Sequence, residues 1–209
     1  MEWLLDSAEH KEWERVSVTG LFSAITTNPL LLNRAGLKVN LDTYERLTDR
    51  ALALGYEHIQ LQVFGDNWEE NAEKILSLND QTIVKIPACE QGFGLVKRLN
   101  APHRTTITGV YASRMGAAAE RLGVRYVAAY YARLVESDRN ADRIFEGLRM
   151  SCKNTGVLVA SLRSVDQFEH LIGLGHRCFT IPGALLDPLL CDEMTEAAIV
   201  QFEQAARAV

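Results

Sequence analysis

The chain is 209 residues long and carries 22 Lys and Arg against 27 Asp and Glu, a formal net charge of −5 at pH 7. That balance argues against a general nucleic-acid surface, which needs surplus cations to displace counterions from phosphates, and 47% hydrophobic residues argue against a disordered chain. No apolar run is long enough to cross a bilayer, and Met1-Glu2-Trp3-Leu4-Leu5-Asp6 lacks the basic start and apolar span of a signal peptide. With no linker rich in Pro, Gly or Ser, the expectation is one cytoplasmic domain over residues 1–209. Cys89, Cys152, Cys178 and Cys191 show no C-x-x-C or Cys/His spacing, so free thiols and no metal site are expected.

Short apolar segments alternate with longer stretches of helical period. The first segment, 3–6, ends in Asp6, and the second, 24–26, runs into Thr26-Thr27-Asn28-Pro29. A helix expected over 41–54 stops at Gly55, and the third segment, 59–63, holds Gln60 and Gln62. After a helix over 67–78 comes 82–86, an apolar run with Lys85 inside it and Pro87 to end it. A helix over 92–99 leads to 105–108, with Thr106 and Thr108. A helix over 112–122 stops at Gly123, and segment 126–129 continues to Tyr130 and Arg133. A helix over 138–153 precedes segment 157–160, which reaches Ser161 and Arg163. A helix over 164–174 stops at Gly175 before the last segment, 178–181. A final stretch, 194–209, sets Ile199, Phe202 and Ala206 at helical spacing.

Glycine after a helix suits the left-handed conformation of a C-terminal cap, so the repeating unit is strand, loop, helix, glycine. Eight such units close into a single (β/α)8 TIM barrel of the α/β class, with 194–209 as an additional C-terminal helix. An open doubly wound sheet is the alternative; against it, no segment is followed by a G-x-G-x-x-G or G-x-x-x-x-G-K-[ST] phosphate loop.

Barrels gather their chemistry at the C-terminal ends of the strands, and here those ends carry Asp6, Thr26, Asn28, Gln62, Lys85, Thr108, Tyr130, Ser161 and Arg163. Burial penalises the charged form of a lysine and frees an amine that attacks carbonyls. Strand alternation points Ile83 and Lys85 one way while Val84 and Ile86 face the helices, and it pairs Gln60 with Gln62, Thr106 with Thr108 and Ser161 with Arg163. Each residue also has an ordinary structural role. Lys85 suits an edge or snorkelling position, Asp6 a helix N-cap near Ser7, and Asn28-Pro29 a turn. Gln62, Thr108 and Tyr130 suit satisfied core polar groups, and Arg133 a surface ion pair. The case for chemistry rests on one lysine, one carboxylate and several neutral donors falling on successive strand ends.

Leu4-Leu5-Asp6-Ser7-Ala8, Ile25-Thr26-Thr27-Asn28-Pro29, Val84-Lys85-Ile86-Pro87 and Tyr126-Val127-Ala128-Ala129-Tyr130 resemble the transaldolase family, in the order and spacing of its small fructose-6-phosphate aldolase branch. Thr108-Gly109-Val110-Tyr111, Val159-Ala160-Ser161-Leu162-Arg163 and the stretch 197–206 extend the resemblance over nearly the whole chain. It implies class I aldolase chemistry with neither metal nor organic cofactor. Lys85 would form a Schiff base with a ketose or dihydroxyacetone, Asp6 would handle the substrate hydroxyl proton, and Asn28 and Thr26 would line the site. Gln62, Thr108 and Tyr130 match the residues that hold or activate the water exchanging protons with the intermediate. Transaldolases proper carry a glutamate and a phenylalanine at the positions of Gln62 and Tyr130. Arg133, Ser161 and Arg163 match the positions that hold the phosphate, and a sulfonate would satisfy the same donors. The chain departs from the family at Leu30, commonly serine, at Ala129, commonly proline, and at Tyr131, a second phenol beside Tyr130.

The resemblance thus implies a carbon–carbon lyase releasing dihydroxyacetone from a ketose phosphate; the alternatives are a transaldolase and a noncatalytic sugar-phosphate-binding barrel. Small family members assemble as homo-oligomers, often decamers of two pentameric rings, and 194–209 matches their exchanged helix. A sugar phosphate or dihydroxyacetone is the expected small-molecule partner, with no nucleic acid and no membrane.

Overall fold

A computed structural model describes residues 1–208; Val209, the last residue of the expected C-terminal helix, lies outside the described residues. The strands are β1 (Glu2–Asp6), β2 (Ala24–Thr26), β3 (His58–Gln62), β4 (Thr82–Pro87), β5 (Thr105–Val110), β6 (Tyr126–Tyr130), β7 (Gly156–Ala160) and β8 (Cys178–Pro182). Each lies within two residues of its expected segment. All pair in parallel in chain order, and β1 also pairs with β8, with Trp3 beside Phe179 and Leu5 beside Ile181, closing the barrel. The (β/α)8 architecture is therefore the observed one rather than the open sheet.

The helices are α1 (His10–Ser17), α2 (Pro29–Arg34), α3 (Leu41–Ala53), α4 (Trp68–Leu78), α5 (Glu90–Leu99), α6 (Ser113–Leu122), α7 (Tyr131–Glu136), α8 (Ala141–Ser151), α9 (Val165–Gly173), α10 (Leu186–Leu190) and α11 (Glu193–Arg207). Polar side chains start many of them: Asn40 accepts from Thr43 N–H at 2.8 Å, and Asn140 accepts from Arg143 N–H at 3.0 Å. Gly55, Gly123 and Gly175 all have positive φ, as the glycine-stop pattern predicts. Two expectations change. The helix expected over 138–153 begins only at Ala141, because Asp138 turns left-handed at φ 55° after α7 and Asn140 restarts the ladder. Asp6 caps nothing: α1 starts at His10 behind Glu9.

Alternation within the strands separates two apolar clusters. Leu4, Ala24, Ile83, Tyr126, Ala128, Leu158 and Ala160 form a small one inside the barrel. Leu5, Ile25, Val84, Ile86, Val127, Ala129 and Val159 join the large one between strands and helices. In β4 this leaves Lys85 on the inner face with Ile83. Gly92 matters at the end of that strand, since a Cβ there would stand 2.1 Å from the Pro87 carbonyl oxygen. Only glycine lets α5 close over the lysine strand. The C-terminal α11 starts at an Asp192 cap and buries none of its residues, leaving Met194, Ile199, Val200 and Phe202 exposed. No helix is long and apolar enough to cross a membrane among the described residues.

Candidate active site

Lys85 is 4% exposed, which removes the edge and snorkelling alternatives. Its Nζ donates to Thr26 Oγ1 at 2.7 Å and to the Thr27 carbonyl at 2.9 Å. A neutral amine has two hydrogens and one lone pair, so these two acceptors take both hydrogens and leave the lone pair as the remaining direction on nitrogen. Burial pulls the lysine pKa down, against an opposing attraction from Asp6. Geometry and electrostatics both favour an uncharged nucleophile.

The amine opens into a cleft whose cavity volume is about 100 Å³. Asp6, Thr26, Asn28, Tyr130, Arg133, Ser161 and Arg163 line it together with Lys85. Asp6 forms no ion pair within 4.0 Å and no side-chain hydrogen bond among the described residues. Burial raises its pKa, while Lys85, then Arg133 and Arg34, pull it back. Burial thus favours the protonated form and the neighbouring cations the charged one, the two states that proton transfer uses. Asn28 is both capping residue and candidate ligand. Its Oδ1 accepts from the N–H groups of Leu30 and Leu31 at 3.0 and 3.1 Å, the turn role, and that fixes the amide so that Nδ2 keeps both hydrogens for a substrate oxygen.

Tyr130 lines this cleft and a second one beside it, where Gln62 and Thr108 also lie; Asn28 and Arg133 border both. The Thr108 hydroxyl and the Tyr130 phenol are 3.1 Å apart. Burial pushes the phenol up, while the Thr108 hydrogen bond opposes it. Gln62 pairs with Lys85 across the β3–β4 ladder. Tyr131 points elsewhere: it is buried against Phe145 and donates to Asp142 at 2.8 Å. Gln60, two residues below Gln62, accepts from Thr106 Oγ1 at 2.9 Å and belongs to the barrel floor.

Arg133 does not continue the strand. It sits on α7, over the Tyr130 ring at 4.8 Å, and donates to the Tyr111 hydroxyl at 3.2 Å. The alternation argument fails for Ser161 and Arg163, because β7 stops at Ala160 and Ser161 has φ 63°. A non-glycine residue held left-handed is strained by about 1 kcal/mol, and here the bend keeps both side chains on the cleft wall. Arg163 also meets Glu136 at 3.4 Å. Sequence reasoning missed Arg34, which lines the same cleft. The signal was present: Leu30, Leu31 and Arg34 share one face of α2 at spacings of three and four.

Three arginines, Arg34, Arg133 and Arg163, line the cleft against one carboxylate, Asp6. A chain of net charge −5 thus has a positive cleft, which draws anionic small molecules. No three of His, Cys, Asp or Glu gather where they could hold a metal ion among the described residues.

The class defined by fold and site is a (β/α)8 barrel with a buried, hydrogen-bonded lysine inside a cationic cleft. The sequence matches the Transaldolase/Fructose-6-phosphate aldolase family over residues 3–209, and the chain belongs to that family. It is similar to a protein named "Probable transaldolase" of Desulfitobacterium hafniense, 30% identical, with 97% of this chain and 96% of that one covered. "Probable transaldolase 2" of Listeria monocytogenes is 26% identical over 97% of this chain and 94% of its own. "Probable transaldolase" of Bdellovibrio bacteriovorus is 27% identical, over 97% and 95%.

Proposed function

We propose that the protein is a cytoplasmic class I aldolase of the fructose-6-phosphate aldolase type, reversibly cleaving a ketose phosphate into dihydroxyacetone and an aldehyde phosphate. The observation that carries this is the Lys85 amine, buried with both neutral N–H groups accounted for and its lone pair left for a carbonyl. The amine adds to the ketose C2, a C–N bond forms, and water leaves to give an iminium. Asp6 takes the proton of the C4 hydroxyl, the C3–C4 bond breaks, and its electron pair moves into the iminium to give an enamine. The aldehyde phosphate leaves, its anion having been held by Arg133, Ser161 and Arg163. Asn28 Nδ2 and Thr26 hold the hydroxyls near the lysine.

The fate of the enamine depends on Gln62, Thr108 and Tyr130. A water held by these groups returns a proton to the enamine carbon, and a second water hydrolyses the iminium to free dihydroxyacetone. The 3.1 Å contact between Thr108 and Tyr130 supports this role. The alternative is a transaldolase, in which the enamine attacks a second aldehyde before protonation; the names of the three relatives favour it. Incubating fructose 6-phosphate with and without an acceptor aldehyde separates the two. Free dihydroxyacetone without acceptor is expected, and its absence, with transfer intact, establishes the transaldolase instead. A noncatalytic barrel would give neither product and no borohydride-trapped adduct at Lys85.

The exposed apolar side chains of α11 support a homo-oligomer, with a second copy of this chain as the partner and a decamer of two pentameric rings as the expected size. Light scattering tests it, a monomer being the outcome against it.

A further inference from the structure

The Asp6 carboxyl has no side-chain hydrogen bond among the described residues, so its place depends on the backbone that carries it. That backbone is held from both sides: Asp6 pairs with Thr26 of β2 and with Pro182 of β8. One residue further on, Ser7 N–H donates to the Thr26 carbonyl at 3.1 Å, while Thr26 Oγ1 accepts from the Lys85 amine at 2.7 Å. Ser7 lies beyond the strand yet is only 3% exposed, and its polar groups are all used. Its hydroxyl donates to the Glu12 carboxylate and accepts from Glu9 N–H at 3.0 Å, and its carbonyl accepts from Trp13 Nε1 at 3.2 Å. Glu12 in turn lies against Gly183, the residue after Pro182, where an added Cβ would overlap the carboxylate. Gly183 does not have a positive φ, so space rather than backbone conformation is what opposes a side chain there. The Glu12 carboxylate thus fills the gap between the residues that follow Asp6 and its strand partner Pro182.

We propose that Glu12, acting through Ser7, is a positioning residue: wedged between the ends of β1 and β8, it sets the Asp6 carboxyl against the substrate bound to Lys85. This rests on the proton-handling reading of Asp6 above. Neither Glu12 nor Ser7 lines the cleft, so Glu12 acts on the step that needs Asp6 and not on the step that needs only the amine. Loss of the wedge lets the end of β1 shift, and a misplaced proton acceptor slows bond cleavage while iminium formation on Lys85 continues.

Two rates separate these steps: release of aldehyde phosphate from fructose 6-phosphate in a single turnover with enzyme in excess, and borohydride trapping of dihydroxyacetone on Lys85. In trapping, the amine adds to the ketone carbon, water leaves, and borohydride delivers a hydride to the iminium carbon, giving a secondary amine that mass spectrometry locates. Glu12→Ala lowers release about tenfold and changes trapping by less than about twofold. Glu12→Gln, whose amide oxygen still accepts from Ser7, restores most of the release. Gly183→Ala displaces the carboxylate without removing it and gives a loss of the same kind, and adding it to Glu12→Ala costs nothing further, because both changes remove one contact. Equal losses of release and trapping, or unchanged release in Glu12→Ala, overturn the proposal. Fully additive losses overturn it too, by separating Gly183 from Glu12. An Asp6→Asn protein that releases aldehyde phosphate at the wild-type rate overturns the proton-handling reading as well, whereas an inactive Asp6→Asn beside an unimpaired Glu12→Ala overturns the positioning role alone.

Discussion

The polar groups at the two levels of this barrel interior behave differently. Near the floor several pair with one another: Thr106 donates to Gln60 at 2.9 Å and Tyr126 donates to Glu2 at 2.7 Å, while the His58 ring stacks on Tyr126 with a 6.0 Å centroid separation and keeps a buried Nδ1 without a partner. At the mouth they hold capacity in reserve. Asn28 spends its oxygen on α2 and keeps its NH2, and among the described residues Asp6 has no hydrogen-bond partner and Arg34 pairs with nothing. Satisfied buried polar groups specify one packing, whereas unsatisfied ones beside an open cleft are matched only when a ligand arrives. The same strands thus provide a scaffold below and a reactive surface above.

Lys85 gives the sharpest test of that division. Lys85→Met should lower turnover at least about a thousandfold, since no other amine lines the cleft among the described residues. It should also stabilise the fold. Burial holds the folded-state pKa of the lysine below its unfolded value, so between the two the unfolded chain binds the extra proton and stability is lost as pH falls. Removing the amine should gain about 1 kcal/mol at neutral pH, a rise of roughly 2–4 °C in melting temperature by calorimetry. A destabilised Lys85→Met protein would mean that the bonds to Thr26 and Thr27 are scaffold after all.

His58 tests the floor. Burial lowers its pKa to about 3, so the ring is neutral in the folded protein at any ordinary pH. The unfolded chain takes up this proton near pH 6.5, and the stability associated with His58 is therefore complete above 6.5 and lost progressively down to about 3. The loss is on the order of 3–5 kcal/mol at the acid end. Urea midpoints measured against pH should fall less steeply in His58→Gln than in the wild type, and coincident curves would refute a buried neutral ring.

The two levels were not equally legible in the sequence. The lysine stood out because one ammonium in Thr82-Ile83-Val84-Lys85-Ile86-Pro87 conflicts with its apolar neighbours, and strand alternation then places it with Ile83 inside. The same alternation separates Tyr130 from Tyr131. It fails at Ser161 and Arg163, where a left-handed residue ends the strand period, and at 138–153, where Asp138 breaks the helix. Arg34 was overlooked although its spacing from Leu30 and Leu31 marked a shared face, because α2 is only six residues long and an arginine at a helix end reads as surface. The match of Gln60 with Thr106 is set by strand register, which no local pattern encodes.

Thr108 and Tyr130 lie at the mouth, where Thr108 pairs with Pro87 beyond the level of Lys85 and Tyr130 ends β6. Tyr130→Phe removes the phenol from the 3.1 Å pair without removing the ring beneath Arg133. Release of dihydroxyacetone should fall about a hundredfold, while transfer to an added aldehyde is retained or rises. Equal loss of both would assign the phenol to bond cleavage rather than to protonation.

The smallest effect belongs to the adjacent phenol. Tyr131 faces away from the cleft and donates to Asp142, which also meets His170 at 3.0 Å, so the three tie α7 to α8 and α9. Tyr131→Phe removes one hydrogen bond at a partly exposed carboxylate, a loss of about 1 kcal/mol or less, seen as a small fall in melting temperature. Neither aldol release nor transfer should change by more than about twofold, because the side chain has no path to the amine except through the backbone of Tyr130. A Tyr131→Phe variant that matched Tyr130→Phe in its loss of release would break the contrast, since it would mean that the packing of α7 controls Arg133 and the Tyr130 ring together.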